Sequence, residues 1–336
     1  MISPCEMYAL ILALSLSLAV LVRGLSLGPI RIRTENTSIP LVIWHGLGDS
    51  HSSPGMLQFM SLIREIHPGL HIHSIYVEKD LEKDQKAGWF GNVDEQLATV
   101  AQQLAVPELQ GGFDAIGFSQ GGQFLRAYIE RYNNPPVHNL ITFGSQHMGI
   151  SDLPQCKPFD IMCKLARNAA AAGVYSAWAQ NNVIPAQYFR DTTQLSIYLT
   201  SNHFLTSINN ENESSRNHTY AQNFASLSNL VLVLFTRDRT VVPKESAWFG
   251  SYAPPKEGQD SSTPTLVPMR LQPLYSEDWI GLKRLDQAGR VQFKSCDGEH
   301  MQLSRDCWEP IVKQYIGNGK GNGKISIHNN LLVQMS

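Results

Sequence analysis

Phe113-Asp-Ala-Ile-Gly-Phe-Ser-Gln-Gly-Gly-Gln-Phe-Leu-Arg126 sets a serine in a Gly-x-Ser-x-Gly frame, between a short apolar run and a segment with helical periodicity. A serine held at a sharp strand-to-helix turn needs small neighbours, and Gly117 and Gly121 supply them, with Gly122 adding room. Beyond the turn, Phe124, Leu125, Tyr128, Ile129 and Tyr132 recur at helical spacing, with Arg126, Glu130 and Arg131 on the other side. The stretch therefore predicts an exposed Ser119 hydroxyl at a helix N-terminus. Glycine-flanked serines also occur in ordinary loops, so the weight of the motif depends on what surrounds it.

Upstream, Pro40-Leu-Val-Ile-Trp-His-Gly-Leu-Gly-Asp49 reads as a buried strand stopped by a glycine-rich turn. Met56 to Ile66 has helical periodicity, His71 to Val77 is rich in strand formers, and Asn92 to Leu104 reads as a helix ending before Pro107. Strands follow at Ala115–Phe118, on the near side of Ser119, and at Leu140–Gly144. Strands alternating with helices predict parallel βαβ units and an α/β fold, a mostly parallel central sheet flanked by helices. The rhythm breaks over 145–229, which includes Asn168-Ala-Ala-Ala-Ala172 and is expected to be a largely helical insertion. It resumes with Leu230-Val-Leu-Val-Leu-Phe235, the strongest buried-strand signal, and again at Arg290–Lys294. Tyr252 to Pro268 is rich in Pro, Gly and Ser and predicts an exposed loop. No internal repeat is apparent.

The chain has 336 residues, 43% hydrophobic and 17% charged, which is enough to bury a sizeable core. Its net charge is −2 and its basic residues do not cluster, so nucleic acid is not indicated as a partner. An apolar run from Tyr8 to Val22 reads as the core of a signal peptide over 1–24, with Val22 and Gly24 at the small-residue positions before cleavage. Glu6 and the lack of Lys or Arg before the run depart from that pattern, and an uncleaved anchor is the alternative. No other segment is long and apolar enough to span a bilayer, so no membrane span is expected after cleavage. Three sequons, at Asn36, Asn212 and Asn217, agree with secretory routing. Removal of Cys5 leaves Cys156, Cys163, Cys296 and Cys307, an even number suited to an oxidising compartment. Three pairings are possible; Cys156 with Cys163 and Cys296 with Cys307 are preferred because each pair brackets a loop. Residues 25–316 are expected to form one domain, and the glycine-rich 317–336 a low-complexity, disordered tail.

A serine hydroxyl needs a neutral imidazole to take its proton, and the imidazole needs a carboxylate to fix its tautomer. On a doubly wound sheet these partners come from loops after later strands, in the order Ser, Asp or Glu, His. Asp238 follows the strongest strand by three residues, and His300 follows the last predicted strand, so Ser119, Asp238 and His300 stand in that order. Asp152, after the preceding strand, is the competing acid; Asp297 lies too near His300 to be preferred. Among the 11 histidines, His67, His71 and His73 lie on or before an early strand without a matching carboxylate, so no metal site is expected. His147 reads as a loop-structuring hydrogen-bond partner. Attack on an acyl carbon builds an oxyanion, which calls for preorganised N–H donors. The backbone N–H of Gln120, directly after the serine, and that of Leu47, in the Gly46-Leu47-Gly48 turn, are the candidates.

Taken together, Val42-Ile-Trp-His-Gly-Leu-Gly-Asp-Ser50, Gly117-Phe-Ser-Gln-Gly-Gly-Gln-Phe-Leu-Arg-Ala127, Phe143-Gly-Ser-Gln-His-Met-Gly149, Trp248-Phe-Gly250 and Asp297-Gly-Glu-His-Met-Gln-Leu-Ser304 resemble the palmitoyl-protein thioesterases of the lysosomal type. The resemblance covers roughly residues 39–316. It implies an α/β-hydrolase fold and thioester hydrolysis of S-acylated proteins or peptides and long-chain acyl thioesters, with no cofactor and a lysosomal or secreted location. Carried over by position, it puts the nucleophile on Ser119, the acid on Asp238, the base on His300, the oxyanion donors on Leu47 and Gln120, and an insertion disulfide on Cys156 and Cys163. Cys296 and Cys307 look like a pair beyond the family's pattern. A long acyl chain needs its methylenes covered, each worth about 0.8 kcal/mol. Val183, Ile184, Tyr188 and Phe189 of the insertion are the expected lining of that groove, or else pack the insertion onto the sheet. The competing readings are a lipase or carboxylesterase acting on long-chain oxygen esters, and a non-catalytic binding module.

Overall fold

The strands at the centre of the molecule are buried on both faces: every residue of β1 (Leu41–Trp44) and β3 (Phe113–Phe118) is buried, and so are nearly all of β4 (Val137–Phe143) and β5 (Asn229–Phe235). Near-continuous apolar runs of this kind suit parallel strands covered on both sides. With β2 (Ile72–Ser74) and β8 (Val291–Cys296) they form a six-stranded sheet in the order β2-β1-β3-β4-β5-β8, and every neighbouring pair is parallel. The computed structural model describes residues 38–153, 156, 161–171, 173–255 and 264–318. The signal-like segment, Asn36 and the tail from residue 319 lie outside the described residues.

Alternation along the strands feeds two separate cores. Val42, Trp44, Ala115, Leu140, Leu230 and Leu232 pack on one face, with the helices Val93–Leu104 and Gln120–Arg131 and part of the insertion. Leu41, Ile43, Ile116, Phe118, Val231 and Val233 pack on the other, against the helices Pro54–Ile66 and Arg305–Tyr315. The first of these covering helices is started by Ser53, whose hydroxyl accepts from the Met56 N–H, and it buries Met56, Phe59, Met60 and Ile63 at helical spacing.

Strand register aligns the C-terminal ends, with Trp44 opposite Gly117, Phe118 opposite Phe143, and Phe235 opposite Cys296. The loops after β1, β3, β5 and β8 therefore open at one edge of the sheet, where ligands bind in open α/β folds.

Between β4 and β5 the chain forms a series of helices: Ile161–Ala171, Ala177–Asn182, Ile184–Gln187, Leu195–Ser201, Phe204–Ile208 and His218–Ala225. Arg126 ties this segment down from the helix Gln120–Arg131, the elbow helix that follows the turn at Ser119: its Nη2 donates to His147 O at 3.0 Å and to Asn209 Oδ1 at 2.9 Å. The guanidinium is fully buried, so these bonds offset a desolvation cost that would otherwise be large.

Two helices were not expected from the sequence. Leu81–Ala87 is charged nearly all round and buries only Asp84, so hydrogen bonding rather than an apolar face anchors it. Arg305–Tyr315 contains Pro310, which argues against a helix, yet Trp308, Ile311, Val312 and Tyr315 are buried and tertiary packing prevails. The expected loop Tyr252–Pro268 is closed at its base by an antiparallel pair, β6 (Ser251–Tyr252) with β7 (Leu266–Val267). Cys156 is bonded to Cys163 and Cys296 to Cys307. Among the described residues no helix is long and apolar enough to cross a membrane.

Candidate active site

Ser119 sits between β3 and its helix with φ 51° and ψ −123°, a left-handed conformation that costs on the order of 1–3 kcal/mol for a residue with a Cβ. What holds it there is close packing around two glycines. A Cβ on Gly117 would lie 2.2 Å from the Gly122 Cα, and one on Gly121 would lie 2.4 Å from the His45 carbonyl oxygen. The Ser119 N–H also donates to Phe143 O at 2.8 Å, which fixes the turn to the neighbouring strand end.

His300 Nε2 stands 3.0 Å from Ser119 Oγ, and His300 Nδ1 stands 2.6 Å from Asp238 Oδ2. The other carboxylate oxygen, Asp238 Oδ1, accepts the N–H groups of Thr240 at 2.8 Å and Val241 at 3.0 Å. An ionised carboxylate only accepts, so Nδ1 carries the proton and donates it to Asp238. That leaves the Nε2 lone pair free to accept the serine hydroxyl.

The competing residues are held elsewhere. Asp152 lies on the surface 3.9 Å from Arg167, and exposed Asp297 is paired with Arg237 at 2.6 Å. His147 is buried with its ring stacked on Phe249 at 4.6 Å and Nε2 3.0 Å from Thr142 Oγ1. Burial, then the Arg126 charge, holds its pKa well below the usual histidine range, so it is a neutral structural ring. His73 contacts Gln103 and His67 contacts the Val312 carbonyl; among the described residues no cluster could hold a metal ion.

The loop after β1 lies against the serine: a Cβ on Gly46 would be 3.3 Å from Ser119 Cβ. Among the described residues, neither the Leu47 N–H nor the Gln120 N–H has a hydrogen-bond acceptor. Leu47, Ser119 and His300 line one cavity of about 760 Å³, within the range of about 300–1,000 Å³ typical of small-molecule sites. Its apolar wall comes from Met56, Phe59, Leu62, Ile150, Tyr188 and Trp308.

This lining departs from the expected groove. Tyr188 reaches the cavity, but Val183 packs in a small core with Trp89, Cys163, Ala179 and Ala186, and Ile184 and Phe189 pack with the main core. The short insertion helix Ile184–Gln187 is buried throughout, so its apolar side chains are spent on packing. Beside Ile150 and Tyr188 of the insertion, the wall comes from the helix Pro54–Ile66 and the segment after His300. Met56, Phe59 and Leu62 at intervals of three were the available signal. Buried Asp84 and His45, next to the Gly46 loop, had no such signal.

The sequons differ in access. Asn217 is exposed and its Oδ1 caps the helix His218–Ala225 through the Thr219 N–H, while Asn212 is half-buried with Nδ2 3.2 Å from Leu199 O.

Residues 40–300 match the palmitoyl protein thioesterase family. The chain is 41% identical over 286 residues to palmitoyl-protein thioesterase 1 of Caenorhabditis elegans, covering 84% of this chain and 93% of that protein. It is 33% identical to palmitoyl-protein thioesterase 3 of Dictyostelium discoideum, covering 78% of this chain and 84% of that one. The lysosomal thioesterase PPT2 of Homo sapiens is 27% identical over 75% of this chain and 78% of its own length. A family match over most of the chain, with a 41% identical relative spanned almost end to end, leaves one assignment: the chain belongs to the palmitoyl-protein thioesterase family.

Proposed function

We propose that the protein is a serine hydrolase that removes long-chain fatty acyl groups, palmitoyl foremost, from protein cysteines through an acyl-Ser119 intermediate. The observation that carries this is the position of His300, 3.0 Å from Ser119 Oγ and 2.6 Å from Asp238 Oδ2, on the wall of an apolar cavity of about 760 Å³. His300 Nε2 takes the Ser119 proton as Oγ attacks the thioester carbonyl carbon. The carbonyl oxygen becomes an oxyanion held by the Leu47 and Gln120 N–H groups. Collapse breaks the C–S bond and expels cysteine sulfur, which takes the proton from His300 Nε2 and leaves as the thiol, so the imidazole is neutral again. Water, deprotonated by His300, then attacks the acyl-serine, and fatty acid and Ser119 are released. Asp238 keeps the imidazole tautomer correct and stabilises the imidazolium.

Residues 25–316 act in this proposal as one hydrolase domain, with 145–229 as its helical insertion. Residues 1–24 direct the chain into the secretory pathway, where Asn36, Asn212 and Asn217 are glycan acceptors, and the destination is the lysosome or secretion. A relative named as a lysosomal thioesterase supports that destination. A glycosidase-induced mass shift and immunolocalisation test it.

The activity is tested by comparing turnover of a palmitoyl-cysteine peptide with that of a matched long-chain oxygen ester. Efficient thioester cleavage abolished by Ser119→Ala is expected; a strong oxygen-ester preference would make the protein a lipase or carboxylesterase.

A further inference from the structure

Behind the Gly46–Asp49 loop lies a buried polar cluster to which the proposed reaction assigns no role. His45 is 2% exposed and Asp84 is fully buried. His45 Nδ1 stands 3.0 Å from Gly46 O, and Nε2 stands 3.1 Å from Asp84 Oδ2, close but off the axis of a linear hydrogen bond. The same Oδ2 takes the His51 backbone N–H and contacts His51 Nδ1, both at 3.1 Å. Asp84 Oδ1 accepts the Val77 N–H at 2.8 Å and the Glu78 N–H at 3.1 Å. One carboxylate oxygen thus tethers the residue just before the Gly46–Ser50 segment and the residue just after it.

Each His45 nitrogen faces an oxygen that can only accept, a carbonyl on one side and a carboxylate on the other. Burial pushes the Asp84 carboxyl up, but hydrogen bonding and charge from His45, with His51 and the Glu78 N–H, hold it well below the usual carboxylate range. The His45 backbone is also the surface on which the elbow helix rests, because Gly121 abuts its carbonyl oxygen.

We propose that His45 and Asp84 are positioning residues: their buried contact, with His51 as the second tether, holds the Gly46–Asp49 loop so that the Leu47 N–H meets the oxyanion formed at Ser119. This rests on the assignment of Leu47 as an oxyanion donor. Displacement of such a donor by about 1 Å costs about 10²-fold in rate, and the loss falls on kcat because the contact strengthens in the transition state.

The test is a double-mutant cycle of His45→Asn and Asp84→Asn, with kcat expressed per Ser119 labelled by a fluorophosphonate so that unfolded protein does not count. His45→Asn keeps a donor for Gly46 O and loses only the reach to Asp84, so it serves if Asp84→Asn does not fold. Each single variant is expected to lower kcat by about 10- to 100-fold with KM within about twofold. The double variant is expected to be no worse than the poorer single one, and affinity for an acyl trifluoromethyl ketone, which forms a hemiketal oxyanion on Ser119, to fall in parallel. Unchanged kcat per labelled serine, a loss confined to KM, or fully additive losses would overturn the proposal. The cycle is run with a p-nitrophenyl ester as well as the palmitoyl thioester. Failure of the thioester alone counts against the proposed substrate, whereas lost coupling in the ester counts against the strut.

Discussion

Cys296 and Cys307 are joined by a disulfide that closes the loop carrying His300. Cys296 ends β8 beside Phe235 of β5, and Cys307 lies in the helix Arg305–Tyr315, so the bond fastens both ends of the loop to the sheet and its covering helix. Closing a loop of this length removes unfolded-state entropy worth about 3 kcal/mol in the chain-entropy model. The pair Cys296→Ser/Cys307→Ser is expected to lose stability of that order, measured by urea unfolding, and to lower kcat as His300 loosens. An unchanged midpoint and kcat would show the loop to be held by its hydrogen bonds alone.

Ser119→Ala and His300→Ala are each expected to reduce turnover by about 10⁴-fold or more, and Asp238→Asn by about 10⁴-fold, because the wrong imidazole tautomer then faces the serine. Combining the substitutions should add little, since the three act as a unit. Single-turnover kinetics with a palmitoyl-cysteine peptide provide the measurement.

Leu62→Trp and Phe59→Trp, on the helix Pro54–Ile66, fill the apolar wall of the cavity rather than the reacting centre. Shorter acyl chains should then be preferred, with kcat/KM for palmitoyl falling more than for octanoyl. Val183→Ala should leave chain-length preference unchanged and instead destabilise the fold, because Val183 is core. A chain-length series on the three variants checks both statements.

Gly117→Ala is expected to be poorly folded, because the new methyl would lie 2.2 Å from the Gly122 Cα, a backbone atom that cannot swing away. Overpacking of this kind costs at least about 1–3 kcal/mol. Thermal unfolding of any soluble fraction should register the loss.

Asp114, at the start of β3, is buried, and burial pushes its carboxyl up to about 7 despite hydrogen bonds from the Gly317 N–H and from Asn139. The folded state therefore holds a proton that the unfolded chain releases near pH 4. The contribution is fully present below that value, declines as pH rises towards about 7, and is lost above it. Asp114→Asn should flatten the fall in stability between about pH 4 and 7, as read from urea midpoints across that range. An unchanged slope would place the titration on another group.

The elbow, the parallel strands and the loops carrying Asp238 and His300 were legible because each depends on local pattern. Apolar runs mark buried strands, glycines mark a turn without room for a Cβ, and strand ends mark where loops open. Leu81–Ala87 and Arg305–Tyr315 were not legible, since one is anchored by a buried carboxylate and the other is a helix in spite of Pro310. The insertion was legible as a break in rhythm, but the four side chains expected to line its groove were not, because burial alone does not distinguish a pocket wall from a packed core.

What the chain order determined by itself was the identity and sequence of Ser119, Asp238 and His300, together with the family they belong to. Tertiary structure decided how far apart they stand, since residues separated by 181 positions meet at 3.0 Å only through strand register. It also decided which helix walls the cavity and which buried carboxylate braces the Gly46 loop. These are contacts between distant segments, set by packing on both faces of one sheet, and no local period encodes them.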